Sequence, residues 1–370
     1  MSPKTPYKML SSTSPSPLGE DGSHTRTSES VKTRILVISD THSAPLLPKE
    51  DETPDRPFRE PLPAADVLIH CGDLTMVGSM PEYHKALDAL SKIDAQLKLV
   101  IAGNHDLTLD KEWMRTPNHE QRSYRSWEEA KPDYEKSTKL WKDPDGRAVK
   151  EGVTFLDEGV HSFVLQNGAR LRVYTSPYTP ESYDWGFAYA HDEDRFNTRQ
   201  FSFADAKNIA EKPIPSFEDE DRIDIMITHG PPYLRLDPTA HGNVGCKHLL
   251  KALTRARPLV HCFGHIHEGW GAERVKWSDP VQECARSSVS SDKFVHGSDG
   301  FVKAINGVKE IVVSDQDAEH KHHVYYDASN SGIPLQKGRE SLLINAAIMD
   351  VEYTPRNAPW LVDLQLPKAS

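Results

Sequence analysis

Five places in this chain bring together side chains that bind metals or move protons. They are Asp40 with His42, Asp73, the run Asn104-His105-Asp106, His229, and His265 with His267. An isolated histidine or aspartate of this kind is usually a satisfied structural residue, but five separate segments ending this way are hard to explain by packing. The set holds carboxylates, a carboxamide and imidazoles, and no thiolate. Such oxygen and nitrogen donors suit Mn, Fe or Zn better than a cysteine-rich structural zinc site would. The donors also outnumber what one ion needs. Two ions about 3.5–4 Å apart, sharing a bridging carboxylate, would use them all.

Each cluster follows a short apolar run. Arg34 to Asp40 is one, Asp66 to Asp73 repeats the design, and Leu99 to Ala102 ends at Gly103 before Asn104. Ile223 to Thr228 precedes His229, and Leu259 to Phe263 precedes Gly264-His265-Ile266-His267. Apolar runs bounded by glycine read as buried strands. Ligands of open α/β sheets bind at the carboxyl ends of strands. Pro81 to Gln96 carries a helical stripe of Leu87, Leu90 and Ile93, so strand, helix and strand predict a right-handed crossover and parallel pairing. Cys246 to Arg257 predicts a second helix with Leu249, Leu250 and Leu253 on one face. Val153–Leu156, His161–Leu165 and Ala169–Tyr174 read as an antiparallel portion that begins a second sheet, with Asn167-Gly168 as a hairpin turn. Leu342–Ala347 and Leu361–Leu364 read as closing strands.

Composition narrows the function. A formal net charge of −11 over 370 residues argues against a general nucleic-acid or anionic-membrane binder. No apolar run reaches the length of a membrane span, and the N-terminus lacks an apolar signal core. Cys71, Cys246, Cys262 and Cys284 are scattered with no CxxC pair, which predicts a reducing, cytoplasmic setting and mostly packed thiols. Met1 to about Lys32 is rich in Ser, Thr and Pro and is expected to be a disordered tail. The remainder, 33–370, reads as one domain with insertions near 116–151 and 272–340, the first partly helical and the second polar and Ser-rich with scattered β-like pieces. The tract Glu319-His320-Lys321-His322-His323 reads as a solvated loop or edge, and His241, His248 and His261 as surface or core residues. Tyr178 and Trp270 fit either the substrate cleft or packing beneath the loops.

The order Asp-x-His, Gly-Asp, Gly-Asn-His-Asp, His, Gly-His-x-His resembles that of the calcineurin-like metallophosphoesterase superfamily. Ile38-Ser39-Asp40-Thr41-His42, Ser176-Pro177-Tyr178-Thr179-Pro180, Trp185-Gly186-Phe187, His229-Gly230-Pro231-Pro232, Val244-Gly245-Cys246 and Gly264 to Gly271 look like its metallophosphoesterase-domain-containing (239AB-type) group. The resemblance covers Arg34 to about Arg115, Gly152 to Gly271 and the strands from Leu342. It implies an α/β fold, a four-layer αββα sandwich of two mixed sheets with a dimetal site at strand ends. One metal is then expected on Asp40, His42, Asp73 and His267. The other is expected on Asp73, Asn104, His229 and His265, with Asp73 bridging. Some members of the group lose the histidine matching His265, and this chain keeps it. His105 would face the substrate as general acid, and Asp106 would hold its ring. The implied metals are Mn, Fe or Zn, with Mn the expected activator in vitro. The implied reaction is attack of a metal-bound hydroxide on a small phosphodiester such as a cyclic nucleotide. A phosphomonoesterase or protein phosphatase, and a catalytically weak metal-binding scaffold, are the alternatives. No Gly-x-Ser-x-Gly elbow or P-loop is present, as expected where no protein nucleophile is needed.

Overall fold

A computed structural model of the chain describes residues 8–9, 29–51, 53, 56–116, 126–278, 290–291, 304–313 and 322–369. In chain order its main elements begin with β1 (Ser30–Ile38), β2 (Ala65–His70), α1 (Met80–Ser91), β3 (Ala95–Val100), α2 (Lys111–Arg115) and α3 (Trp127–Lys142). Next come α4 (Arg147–Lys150), β4 (Val153–Phe155), β5 (Gly159–Val164), β6 (Arg170–Ser176), β7 (Ile225–Thr228) and α5 (Lys247–Ala256). Last are β8 (Val260–Phe263), β9 (Gly271–Trp277), β10 (Ile305–Glu310), β11 (Val324–Asp327), β12 (Glu340–Asn345) and β13 (Trp360–Pro367).

The strands form two mixed sheets. The first runs β11-β13-β1-β2-β3-β4, with β1 to β4 parallel and β13 antiparallel to β1. The second runs β5-β6-β7-β8-β12-β9-β10, with β6, β7, β8 and β12 parallel, and Lys8–Met9 pairs on its β5 edge. Alternation along the strands builds the layers. Ile35, Val37, Val67 and Ile69 point inward and meet Val173, Ile225, Ile227 and Ile344 of the other sheet. Leu36, Ile38 and Leu68 point outward under Tyr83, Leu87 and Leu90 of α1 and Trp141 of α3. Tyr174, Met226, Phe263 and Leu343 point outward under Leu249 and Leu253 of α5. These are the four αββα layers expected. Strands buried on both faces must read as continuous apolar runs, which is why the sequence shows them so plainly.

Several boundaries move. The helical stripe ends at Ser91 and not Gln96, because Ala95 already pairs with Ala65 as the first residue of β3. Val153–Phe155 is not part of the antiparallel portion; it joins the first sheet, parallel to β3. The segment from Ala272 carries the scattered β-like pieces expected, and the first of them, Gly271–Trp277, is an internal strand between β12 and β10. Val275 and Trp277 share one face with Glu273, which is buried too, and Ala272 shares the other with Arg274 and Lys276, so no clean alternation marks the strand. β1 starts at Ser30, inside the segment expected to be tail, because Ser30–Lys32 pair with Gln365–Pro367. Most of Met1–Lys32, all of 117–125, Cys284 and Glu319–Lys321 of the histidine tract lie outside the described residues. Cys71, Cys246 and Cys262 are buried free thiols. No helix among the described residues is long and apolar enough to cross a membrane.

Candidate metal centre

The parallel strands of both sheets end side by side, and the turns that follow carry the expected residues. Asp40 and His42 follow β1, Asp73 follows β2, and Asn104 and His105 follow β3. From the other sheet His229 follows β7, and His265 and His267 follow β8. These turns are sharply bent. Asp40, His42, Asp73 and His265 have φ of 50°, 43°, 53° and 65°. Non-glycine residues take this left-handed conformation rarely, and such positions cluster at functional sites. The backbones also approach closely, since a side chain at Gly264 would collide with the carboxylate of Asp40, and one at Gly103 with that of Asp73.

Three of the four histidines are anchored through Nδ1. Nδ1 of His42 lies 2.9 Å from the carbonyl of Thr75, that of His229 2.9 Å from Cys71 and that of His267 2.9 Å from Asp350. With Nδ1 committed to a backbone carbonyl in each case, Nε2 is the nitrogen turned to the cleft, the usual support of a metal-binding imidazole. Nε2 of His42 is buried and has no hydrogen-bond partner. A buried orphan acceptor calls for a ligand, because leaving it unpaired is costly.

Donor atoms converge in two groups, Asp40 with His42 and His267, and Asp73 with His229 and His265. Oδ2 of Asp73 lies 3.3 Å from Nε2 of His229 and 3.7 Å from Nε2 of His42, so this carboxylate stands between the groups. Oδ1 of Asn104 is 2.8 Å from Nε2 of His229. His267 Nε2 is 3.5 Å from Oδ1 of Asp40. The structure therefore brings all seven expected donors to one cleft.

The electrostatics fit cations. Burial alone would push the Asp40 carboxyl up, but the His267 and His229 rings hold it down at about 2. Burial would likewise lower His229, yet Asp73 and Asp40 raise it to about 9. Two buried carboxylates thus demand positive charge at this spot. His42 and His265 are pushed down by burial, to about 4 and about 3, which keeps them neutral and fit to ligate.

His105 sits beside the groups without joining either. Its backbone N–H donates to Oδ1 of Asp73 at 2.8 Å, and its ring Nδ1 lies 2.8 Å from the carbonyl of Met76. Trp185 stacks on the ring at 3.8 Å between centroids, 29° from parallel. Asp106 does not hold that ring, contrary to the expectation. Its carboxylate accepts the N–H groups of Leu74, Thr75 and Gly103 and the hydroxyl of Thr75 at 2.7 Å. A carboxylate ringed by backbone donors cannot also reach the imidazole, and the Met76 carbonyl takes that part. Burial, followed by repulsion from Asp73, pushes Asp106 up to about 7.

Sequence reasoning also missed the backbone carbonyls, which no motif can show, and His70. Its Nε2 is 2.9 Å from the hydroxyl of Thr41, so it braces the turn between Asp40 and His42. His241, His248 and His261 stay apart from the cleft, and His261 pairs with Thr228 at 2.8 Å. Tyr178 and Trp270 prove to be packing residues. Tyr178 lies under the guanidinium of Arg195, and Trp270 donates to the carbonyl of Ala358. Trp185, Tyr183 and Tyr353 line the cavity over the cleft instead.

A family model described as Calcineurin-like phosphoesterase matches residues 33–269. Metallophosphoesterase domain-containing protein 1 of Homo sapiens is 34% identical over 243 residues, 65% of this chain and 62% of that protein. A protein named Probable rhamnogalacturonate lyase C, from Emericella nidulans, is 32% identical over 246 residues, 66% of this chain but 18% of that protein. Neither match reaches two thirds of the relative's own length. The family model runs from the first central strand past the last of the converging histidines. On that span, the chain belongs to the calcineurin-like phosphoesterase family.

Proposed function

We propose that the protein hydrolyses a small phosphodiester, with cyclic nucleotides the first class to test, at a centre of two transition-metal ions. Asp40, His42, Asp73 and His267 would hold one ion, and Asp73, Asn104, His229 and His265 the other. The observation that carries this reading is the place of Asp73, whose carboxylate stands between the two groups of converging carboxylate and imidazole donors. Two such ions would supply charge neutralisation and an activated water; Mn is the first choice for assay.

The chain's own residues do the rest. The backbone-anchored histidines keep the floor rigid, so that the phosphoryl group meets a preorganised site. His105 keeps Nδ1 on the Met76 carbonyl and turns Nε2 to the cavity. In its imidazolium form, Nε2–H can protonate the leaving alkoxide. The cavity is small, about 260 Å³, and its described lining includes Glu268 but no lysine or arginine. A diester carries one negative charge and a monoester nearly two at neutral pH. A site without side-chain cations beyond its floor supports the first.

The test compares bis-p-nitrophenyl phosphate, p-nitrophenyl phosphate and a cyclic-nucleotide panel with Mn²⁺ added. The diester is expected to show kcat/KM at least about tenfold higher, or ~1.4 kcal/mol of transition-state stabilisation. The reverse order would replace the proposal with a phosphomonoesterase or protein phosphatase. Bound metal without turnover of any ester would leave a scaffold.

A further inference from the structure

Tyr353 lies outside every strand-end motif, yet it stands over the centre. Its ring centroid is 5.0 Å from that of His42 and 5.2 Å from that of His267, edge-on to both, and 6.3 Å from that of His105. Its φ is +56°, a conformation that a bulky residue keeps only where its surroundings over-determine it. They do so here. The Asp350 carboxylate accepts the N–H groups of Glu352 and Thr354, each at 2.9 Å. The Asp350 carbonyl accepts the N–H of Tyr353 at 3.0 Å and also faces Nδ1 of His267 at 2.9 Å. One turn therefore anchors a donor of the centre and aims an aromatic ring across it.

Tyr353 as a whole is 45% exposed, although it lies in the wall of a cleft with a buried polar floor. Its neighbours in the wall share the character. Tyr183 is 95% exposed and Val351 59%, and Trp185 faces the same cavity. Exposed large apolar groups gathered at one mouth mark a binding surface. A polar, anionic-ligand floor beneath an aromatic, cation-poor wall fits a ligand of matching halves, a phosphoryl group carrying a flat or apolar substituent.

We propose that Tyr353 is a specificity-determining platform: the non-reacting organic substituent of the phosphoester packs on its ring, so the enzyme favours diesters whose second substituent is flat. This rests on the hydrolytic reading above. The face of the ring makes the contact, and the phenol hydroxyl is dispensable.

The test uses two diesters with one leaving group, phenyl p-nitrophenyl phosphate and methyl p-nitrophenyl phosphate, on Mn²⁺-loaded full-length protein. Comparing their kcat/KM ratio across variants cancels intrinsic reactivity. Tyr353→Asn tolerates the left-handed backbone and removes the ring. It is expected to lower kcat/KM for the phenyl ester by about tenfold or more, mainly through KM, and that for the methyl ester by less than about threefold. Tyr353→Phe is expected to keep the wild-type ratio. Calorimetric binding of phenylphosphonate against methylphosphonate gives a readout independent of turnover, with a phenyl preference in wild type that Tyr353→Asn loses. If wild type hydrolyses neither diester, the diester reading fails and the phosphonate pair alone decides the platform. Equal losses for both esters, with or without loss of metal, would overturn it, as would a Tyr353→Phe variant that behaves like Tyr353→Asn.

Discussion

His105 shows how much one backbone contact decides. With Nδ1 committed to the Met76 carbonyl at 2.8 Å, the ring has one nitrogen left, and Trp185 stacked on its face fixes where that nitrogen points. As the proton donor proposed above, His105 should matter in proportion to how badly the leaving group needs a proton. His105→Ala is expected to keep its metal and to lose about 10²–10⁴-fold in kcat on alkyl esters. The loss should be distinctly smaller with p-nitrophenolate, which departs without help. His267→Ala should differ in kind, since it removes a donor beside Asp40 and should reduce metal content. Metal analysis alongside rates on good and poor leaving groups separates the two. Stripping of metal by His105→Ala would make it a ligand, and equal losses across leaving groups would point to charge stabilisation instead of proton donation.

At the scale of elements, the first sheet is pinned on its outer side by one carboxylate. Asp363 of β13 lies opposite Arg34 of β1 in register and accepts a two-point bond from its guanidinium at 2.9 and 3.1 Å. Lys32 adds a contact at 2.8 Å, and the hydroxyl of Tyr325 on β11 donates at 2.8 Å. Burial alone would raise the Asp363 carboxyl, but the bonds from Arg34, Lys32 and Tyr325 hold it below its ordinary value. The sign follows from linkage. A carboxyl lowered in the folded state contributes stability above its unfolded pKa, about 3.9, and that contribution fades as pH falls through the lower folded value. Asp363→Asn is therefore expected to cost about 1–3 kcal/mol at neutral pH. The gap to wild type should narrow below pH ~4, where the wild-type carboxyl also gains a proton. Denaturant melts at both pH values check this, and a gap independent of pH would contradict it. The strand that carries Arg34 was legible because its neighbours Ile35 to Ile38 are buried on both faces. The bounds of Gly271–Trp277 were not, because Glu273 and Arg274 break the apolar pattern and the burial of Glu273 shows only once its neighbours are known.

For the molecule as a whole, what the sequence shows and what it hides divide along the chain's direction. The donors were legible because each follows a strand and parallel strands end together, so Asp40, Asp73 and His229 meet by topology. Asp106 and Tyr353 were not legible in their actual roles. Those depend on which backbone groups the turns after β2 and β12 present, and adjacency in sequence says nothing of that. The same topology makes the centre a joint between layers. Asp40, Asp73 and Asn104 come from one sheet and His229, His265 and His267 from the other. Ions held there would tie the sheets together, while the apolar interface between them runs from Ile35 to Ile344 without involving the site. Removing metal with a chelator should thus leave a folded protein of lower stability. Ligand at 100 times its Kd contributes about 2.7 kcal/mol. For a domain of this size that is a fall in Tm on the order of 5 °C, restored by Mn²⁺ in a concentration-dependent way. Elemental analysis of protein purified without chelator should find two transition-metal ions per chain, and His229→Ala should lower both that content and the Tm response. A reproducible single ion would break the dinuclear reading. A Tm indifferent to both chelator and Mn²⁺ would show that the sheets are held by their apolar interface alone.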